Sequence, residues 1–534
     1  MPRWMWGVLV AFFIMFSLVP NMYELSRMGD LHSDRYFELV HNFYTDYNFY
    51  LSRIRQGREG AWTVHEKYTS EPHAGSYIQI MYLLMGKVST WVGVPWPRSG
   101  DTYHAARIVL AATLLFVTAY VCKSAIKGVL WQVLAFLFAV MAGSWPHLVW
   151  HANEWRTGGA MPWWTIMDAM QRITFVPHML AGQALILFLL MAMTSVDTMR
   201  RPGNWIFLGM LAFFLGVVFP PGLLFVFAVM GVYAGIRGIG GIRELRDIWG
   251  GAIIGLISAP SLLYLSLALR VYPWKRLVDF SVLHPQPFNL WEYIVAVGPL
   301  FPVGVLGALW VLWGKEKKLN IFVAWVIAWV ACIIAFQYIP GESPLRFTEM
   351  MPQVPLAILS IFFLKKLRKP GIIIAVILVA VNLFQLYSSW RWQKEFIDQK
   401  ISATQPLVPT GSTVMYPLKD MIGTMLFIQD NTSRNTVILS EMTAGNYLPV
   451  YSGNTVYIGH AGTVATEQKE QLVRAFFSGM MSQEKAKDFL AANNLHYIFF
   501  GPQEAEDGGV ADLAKTYPFL TQIHHQGLFR VYRW

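Results

Sequence analysis

The sequence predicts an α-helical polytopic membrane protein of about eleven transmembrane helices, with a small C-terminal α/β domain on the outer face. Three observations carry that prediction. Of 534 residues, 55% are hydrophobic and only 14% charged, which is membrane composition. Apolar runs of about bilayer length recur through residues 1–389, and the basic residues between them alternate sides. Beyond Trp390 the long runs stop, and short β-rich stretches alternate with helical ones.

The first run, Trp4 to Pro20, resembles a signal-peptide core, but no small-x-small cleavage site follows it, so it is read as a retained span. Further runs lie at about 104–122, 129–150, 175–195, 204–218, 220–236, 248–271, 291–313, 319–338, 350–364 and 370–388. Each is near the ~20 residues a bilayer needs. The pair around Phe219-Pro220-Pro221-Gly222 is short on both sides, which puts its turn within the membrane plane. Cys122 and Cys332 both fall in apolar segments, so no disulfide framework is implied.

Basic residues set the orientation. With Arg3 inside, the inner loops carry Lys123 and Lys127; Arg200 and Arg201; Arg237, Arg243 and Arg246; Lys315, Lys317 and Lys318; and Lys365, Lys366, Arg368 and Lys369. The loop 24–103 and the C-terminal region are thereby left outside. Ser76 to Val94 is apolar enough to span, but counting it would put every lysine-rich loop outside. It is read as an interfacial or re-entrant helix. The expected division is a membrane domain, 1–389, including the first outer loop, and an outer domain, 390–534. The excess of 42 Lys and Arg over 32 Asp and Glu is spread over inner loops, so there is no basic nucleic-acid face.

The outer loop contains the stretch on which function is expected to rest, YTDYNFYLSRIRQGREGAWTVHEKYTSEPH at Tyr44–His73. It gathers Asp46, Glu59, Glu66, Glu71, His65 and His73 with Arg53, Arg55, Arg58 and Lys67. Tyr36, Val40, Phe43, Tyr47, Tyr50 or Leu51, and Ile54 recur at helical spacing, with Asn42, Asp46 and Arg53 on a neighbouring stripe. Gly57 and Gly60 supply the stop. The expectation is a helix lying on the bilayer and presenting Asp46 from its side. Such acids and cations beside a membrane suit a lipid-linked anionic substrate; a solvated juxtamembrane loop is charged too.

In the C-terminal region the expected strands are Thr413–Tyr416, Thr436–Leu439, Thr455–Ile458, Tyr497–Phe500 and Phe529–Tyr532, with helices near 419–429, 466–478 and 482–493. There is no sequence repeat, low-complexity tract or nucleotide-binding glycine loop.

Asp46 with the following YNFYLSRIRQGREGAW, and YTSEPHAG at Tyr68–Gly75, resembles the first-loop pattern of bacterial GT-C superfamily membrane glycosyltransferases. The branch in question is the dolichyl-phosphate-mannose protein mannosyltransferase-like enzymes. ITFVPH at Ile173–His178, PLRFTEMMPQVPLAIL at Pro344–Leu359 and AGNYLPVYSGNTVYIGH at Ala444–His460 are also similar to that branch. The resemblance implies a polyprenyl-phosphate-linked sugar donor, a glycan, lipid or protein acceptor on the outer face, and an inverting transfer. Its general base would be the first-loop acid, here Asp46, with Glu71 and His73 completing the loop constellation. Deprotonating an acceptor hydroxyl needs a positioned carboxylate, and a leaving phosphate needs cations.

Arg346 is the first cation candidate, because its planar fork takes two phosphate oxygens; snorkelling or pairing with Glu342 or Glu349 is the other reading. Arg172, His178 and Arg53 are the further phosphate-binding candidates, with Lys275-Arg276 behind them. Asp30 and Asp34 are the alternative acids, Asp34 doubling as a helix cap. No cofactor is certain. Some relatives use a divalent metal such as Mg or Mn, but the adjacent acidic pair that some of them show is missing at Asp46. His460 and Tyr457 read as core or surface residues, and the tryptophans Trp145, Trp150, Trp155, Trp163 and Trp164 as an interface belt. The competing function is a lipid-linked glycan flippase without transferase activity, which would call for ionisable residues in mid-span; here the spans are nearly free of charge.

Overall fold

A computed structural model describes residues 3–41, 44–93, 99–158, 168–239, 245–284, 288–314, 316–339, 343–404 and 416–534. The chain divides into two compact units. One comprises Met1–Pro20, Ala105–Ser266 and Ser281–Lys394; the other comprises Asn21–His104, Leu267–Phe280 and Glu395–Trp534.

The first unit is the membrane part. Among the described residues six helices are long and apolar enough to cross a bilayer, or up to eight if two bent pairs each count as one span. Eleven spans were expected. The difference arises because hydropathy registers apolar length but not where the backbone bends. The 291–313 run turns through 89° between Leu290–Val297 and Leu300–Trp313, at Gly298, whose φ is +85°. The 129–150 and 204–218 runs give the shorter helices Val129–Met141 and Pro202–Val218. The 350–364 run forms Gln353–Lys366, 14 residues, or about 21 Å at 1.5 Å per residue. This unit also holds an antiparallel hairpin, β1 (Leu148–His151) with β2 (Glu154–Thr157). Trp163 and Trp164 lie outside the described residues.

The second unit contains a five-stranded mixed sheet of β3 (Val437–Leu439), β4 (Thr455–Val456), β5 (Leu495–Phe500), β6 (Thr521–Gln526) and β7 (Phe529–Arg533), in the order β4-β3-β5-β7-β6. The parallel half pairs β3 with β4 and β5, while β7 runs antiparallel to β5 and β6. Helices Thr466–Phe477 and Gln483–Ala492 bury Phe476, Phe477 and Leu490 against Leu495, Ile498 and Tyr532. Four strands and three helices fall where the sequence puts them. The stretch 413–415 lies outside the described residues. Strand β6, TQIHHQ, is a polar edge strand, so the sequence offered no alternation to find it by. The helix Met442–Tyr451 was also unforeseen, because Pro449 within it reads as a breaker.

The first loop belongs to this second unit. The expected boundary at 390 falls inside one continuous helix, Lys369–Ser402, and residues 21–104 group with 395–534. The helix Tyr44–Arg58 begins later than its apolar stripe suggested, since residues 36–41 are irregular rather than helical. It does not present one apolar face to a bilayer. Tyr47, Asn48, Phe49, Leu51, Ser52, Arg53, Ile54 and Arg55 are all buried, which makes it a core helix of the unit. The segment 76–94 forms the 12-residue helix Ile80–Trp91, too short to span. It packs on Tyr44–Arg58 at two glycines: a Cβ on Gly57 would strike the Leu83 carbonyl, and one on Gly86 the Ile54 carbonyl.

The irregular strand 36–41 buries Glu38. Burial pushes its carboxyl up from the ordinary 4.5 to about 7, against a hydrogen bond from Tyr451 and the charge of Lys400. The folded state therefore binds this proton more tightly than the unfolded chain does. The associated stability is complete below about pH 4.5 and is lost as pH rises to about 7. A shift of this size is worth on the order of 3 kcal/mol. Thermal unfolding of the purified protein should show lower stability at pH 8 than at pH 5, and Glu38→Gln should flatten that difference.

Candidate active site

Asp46 sits in the first turn of the Tyr44–Arg58 helix, and the N-terminal half of that helix is fixed from several sides. Asn48 Nδ2 donates to Asn446 Oδ1 at 2.9 Å, and Asn446 Nδ2 returns to the Thr45 carbonyl at 3.3 Å. Tyr47 meets Tyr103 edge-on with centroids 5.1 Å apart. The Asp46 side chain is 45% exposed, so its carboxylate projects from a rigid base into open space.

His460 approaches it from the turn after β4. The Gly462 N–H donates to His460 Nδ1 at 3.0 Å, so in the neutral ring the proton is on Nε2. That Nε2 lies 3.6 Å from Asp46 Oδ1, within ion-pair reach and longer than a hydrogen bond. The imidazole stacks on Phe49 at 4.4 Å and 19°. The Arg53 guanidinium lies 3.6 Å from the same Phe49 ring. His460 is thus oriented by a backbone donor and an aromatic face toward the carboxylate. In the sequence it closes the Ala444–His460 run and reads as a core or surface residue.

The rest of the loop constellation is arranged to hold this geometry. Arg53 was expected to meet a phosphate. Instead it is fully buried, pairs with Glu66 at 2.5 Å and donates to Gln79 Oε1 at 3.1 Å. His73 Nε2 accepts the Glu66 N–H at 2.9 Å, and Nδ1 lies 2.8 Å from the Glu71 carbonyl. Both ring nitrogens are therefore engaged with backbone, and the ring clasps residues 66–73. Glu71 pairs with Lys469 at 2.7 Å and accepts from Thr69 Oγ1. Thr463 Oγ1 donates to the Tyr68 carbonyl at 2.6 Å, and the Val456 N–H donates to the Lys67 carbonyl at 2.9 Å. Glu71 and His73 thus fasten the first loop to the C-terminal region that carries His460.

The alternative acids sit differently. Asp30 pairs with Arg27. Asp34 is 2.6 Å from His32 Nδ1, and that hydrogen bond holds its carboxyl below the usual range. Asp34 caps no helix, because the next one starts at Tyr44.

In the membrane unit, Arg172 is buried and donates through Nη2 to the Val140 and Ala142 carbonyls at 2.8 and 2.9 Å. It closes the C-terminus of Val129–Met141, where orphan carbonyls favour a cation. His178 is half-buried in the first turn of Pro177–Thr194, just after Pro177. Arg346 is half-buried in the 3₁₀ turn Pro344–Phe347, which Ser343 caps by accepting the Leu345 N–H. Nearby, burial pushes the Glu349 carboxyl up to about 7. Glu342 lies outside the described residues.

The fold is similar to those of several solved structures. The Archaeoglobus fulgidus oligosaccharyltransferase in complex with zinc and sulfate superposes with a TM-score of 0.55 at 11% identity, over 92% of this chain and 67% of that one. The same organism's oligosaccharyltransferase AglB, with an inhibitory peptide and a dolichol-phosphate, gives 0.53 at 10% identity over 97% and 73%. ArnT from Cupriavidus metallidurans bound to undecaprenyl phosphate gives 0.52 at 11% identity, over 98% of both chains. At these identities the likeness is one of fold. No family model and no curated protein matches the sequence itself. In this chain, helices long and apolar enough to cross a membrane are joined to a small sheet-containing C-terminal region.

A divalent metal was one expectation at this site. Among the described residues no group of three or more His, Cys, Asp or Glu side chains is placed to hold one. Asp46 and His460 offer two donors there, one carboxylate and one imidazole.

Proposed function

We propose that this protein is a glycosyltransferase that moves a sugar from a polyprenyl-phosphate carrier to an acceptor at the outer face of the membrane, with inversion. The observation that carries the reading is an exposed carboxylate, Asp46, on a rigid buried helix, with an oriented imidazole beside it, in a chain of GT-C fold.

Asp46 takes the proton of an acceptor hydroxyl. The acceptor oxygen forms its bond to the anomeric carbon as the bond from that carbon to the phosphate oxygen breaks. The bonding electrons leave with the polyprenyl phosphate, whose growing charge we assign to Arg346. Attack from the side opposite the phosphate inverts the centre. We assign His460 as a positioning residue: its Nε2 edge, within ion-pair reach, orients the carboxylate toward the acceptor. Arg53, Glu71 and His73 then serve by holding the loop. The lipids bound to AglB and ArnT, dolichol-phosphate and undecaprenyl phosphate, support a carrier of this class.

The direct test is release of polyprenyl phosphate from a polyprenyl-phosphate sugar by the purified, reconstituted protein with an acceptor present. Release without product, or product that keeps the donor's anomeric configuration, counts against the reading. His460→Phe keeps the stack on Phe49 and removes the N–H. Turnover should fall about 10- to 100-fold, since misplacing a catalytic group by about 1 Å can cost about 10²-fold, with donor binding unchanged. Unchanged turnover would leave His460 a packing residue.

Orientation is tested separately. The positive-inside pattern puts residues 317 and 367 on the inner face and the second unit outside. In a background lacking native cysteines, Lys317→Cys and Leu367→Cys should resist an impermeant thiol reagent in intact cells. Labelling of either from outside would reverse the topology.

A further inference from the structure

The membrane unit contains a cavity of about 980 Å³ far along the chain from Asp46. Helices Ser99–Ala125, Pro177–Thr194, Pro202–Val218, Pro220–Ile239 and Asn320–Phe336 contribute its walls. Phe116, Phe188, Phe207 and Phe322 make the body of the cavity apolar. Arg237, Lys317 and Lys318 also line it. Arg237 closes its helix and the two lysines directly precede theirs, so all three cations gather at one end, level with Ala125 and Thr194 at the ends of their own helices.

We infer that this cavity binds a phospholipid with an anionic headgroup. The polarity runs along its length: three cations at the mouth, aromatic rings within. The lining extends along the Ser99–Ala125 helix from Ala125 back to Phe116, about 13 Å at 1.5 Å per residue. That is close to half of a ~30 Å hydrocarbon core, the depth of one leaflet's acyl chains. A phosphate at the level of the helix ends meets Lys317, Lys318 and Arg237, while its chains fill the apolar body. A polyprenyl chain extends well beyond that depth, so the occupant is a leaflet phospholipid and not the sugar carrier. The site goes beyond the transferase reading and rests only on the membrane-spanning character of this unit.

The test is native mass spectrometry of the delipidated full-length protein titrated with dioleoyl phosphatidylglycerol or dioleoyl phosphatidylcholine. Wild type should take up the anionic lipid preferentially. Each cation is worth about fivefold, so Arg237→Gln/Lys317→Gln/Lys318→Gln should lose on the order of 100-fold in apparent affinity for phosphatidylglycerol. Lys317→Gln/Lys318→Gln alters only exposed side chains, so it keeps the fold, and should lose about 25-fold. Ala192→Trp keeps every cation and fills the space, and should bring phosphatidylglycerol down to the phosphatidylcholine level. The inference is overturned if the double-lysine variant binds as wild type does, if wild type fails to distinguish the two lipids, or if undecaprenyl phosphate displaces phosphatidylglycerol. Because the readout is lipid retention, its failure leaves the transferase reading untouched, and loss of sugar transfer would not bear on it.

Discussion

Asp46→Asn should insert, fold and bind donor, yet transfer sugar 10²–10⁴-fold more slowly, the usual cost of losing a positioned general base. The amide is isosteric, so the contacts that fix the helix, from Asn48 to Asn446 and from Tyr47 to Tyr103, stay in place. The comparison is Asp34→Asn at matched expression and donor binding. Asp34 is tied up with His32 and Arg35 and does not meet His460, so its amide variant should remain within a few-fold of native turnover. A dead Asp34→Asn beside an active Asp46→Asn would show that the base is the other carboxylate.

Arg346→Ala should weaken donor binding by about 2–5 kcal/mol, the cost of leaving a poorly solvated phosphate without its cation. Arg346→Lys should recover little of this, because an ammonium cannot offer two parallel N–H groups. Binding of polyprenyl phosphate to protein in nanodiscs measures both. Arg172→Ala is the informative contrast. Its guanidinium serves the end of Val129–Met141, so the variant should lose thermal stability first. If Arg346→Ala binds the carrier as tightly as wild type, that arginine only snorkels or pairs.

The sequence located the helix carrying Asp46 but not what surrounds it. An apolar stripe says that one face avoids water, yet it cannot say whether lipid or protein provides the cover. Here the cover is protein, including a helix, Met442–Tyr451, masked by its own Pro449. Arginines were misjudged for a related reason. Arg53 and Arg172 have the composition of phosphate ligands, but each is consumed inside its own unit, by Glu66 and by two carbonyls. No local pattern distinguishes a satisfied arginine from an available one. His460 read as core or surface because more than four hundred residues separate it from Asp46. Hydropathy named the membrane class, while six to eight of the about eleven expected spans are long and apolar enough among the described residues, the others being bent or short.

That the second unit is stitched from Asn21–His104, Leu267–Phe280 and Glu395–Trp534 has a consequence for biogenesis. The acid-bearing loop emerges early, but the strand whose Val456 N–H donates to the Lys67 carbonyl and the turn that carries His460 are synthesised late. Residues 105–394 take about 15–60 s to translate at roughly 5–20 residues per second. Throughout that interval the loop lacks its long-range partners, and such non-local closure is slow to nucleate. A nascent or truncated chain would hold Asp46 without a fixed direction. Competence for transfer would then arise only after residues 455–463 have been made.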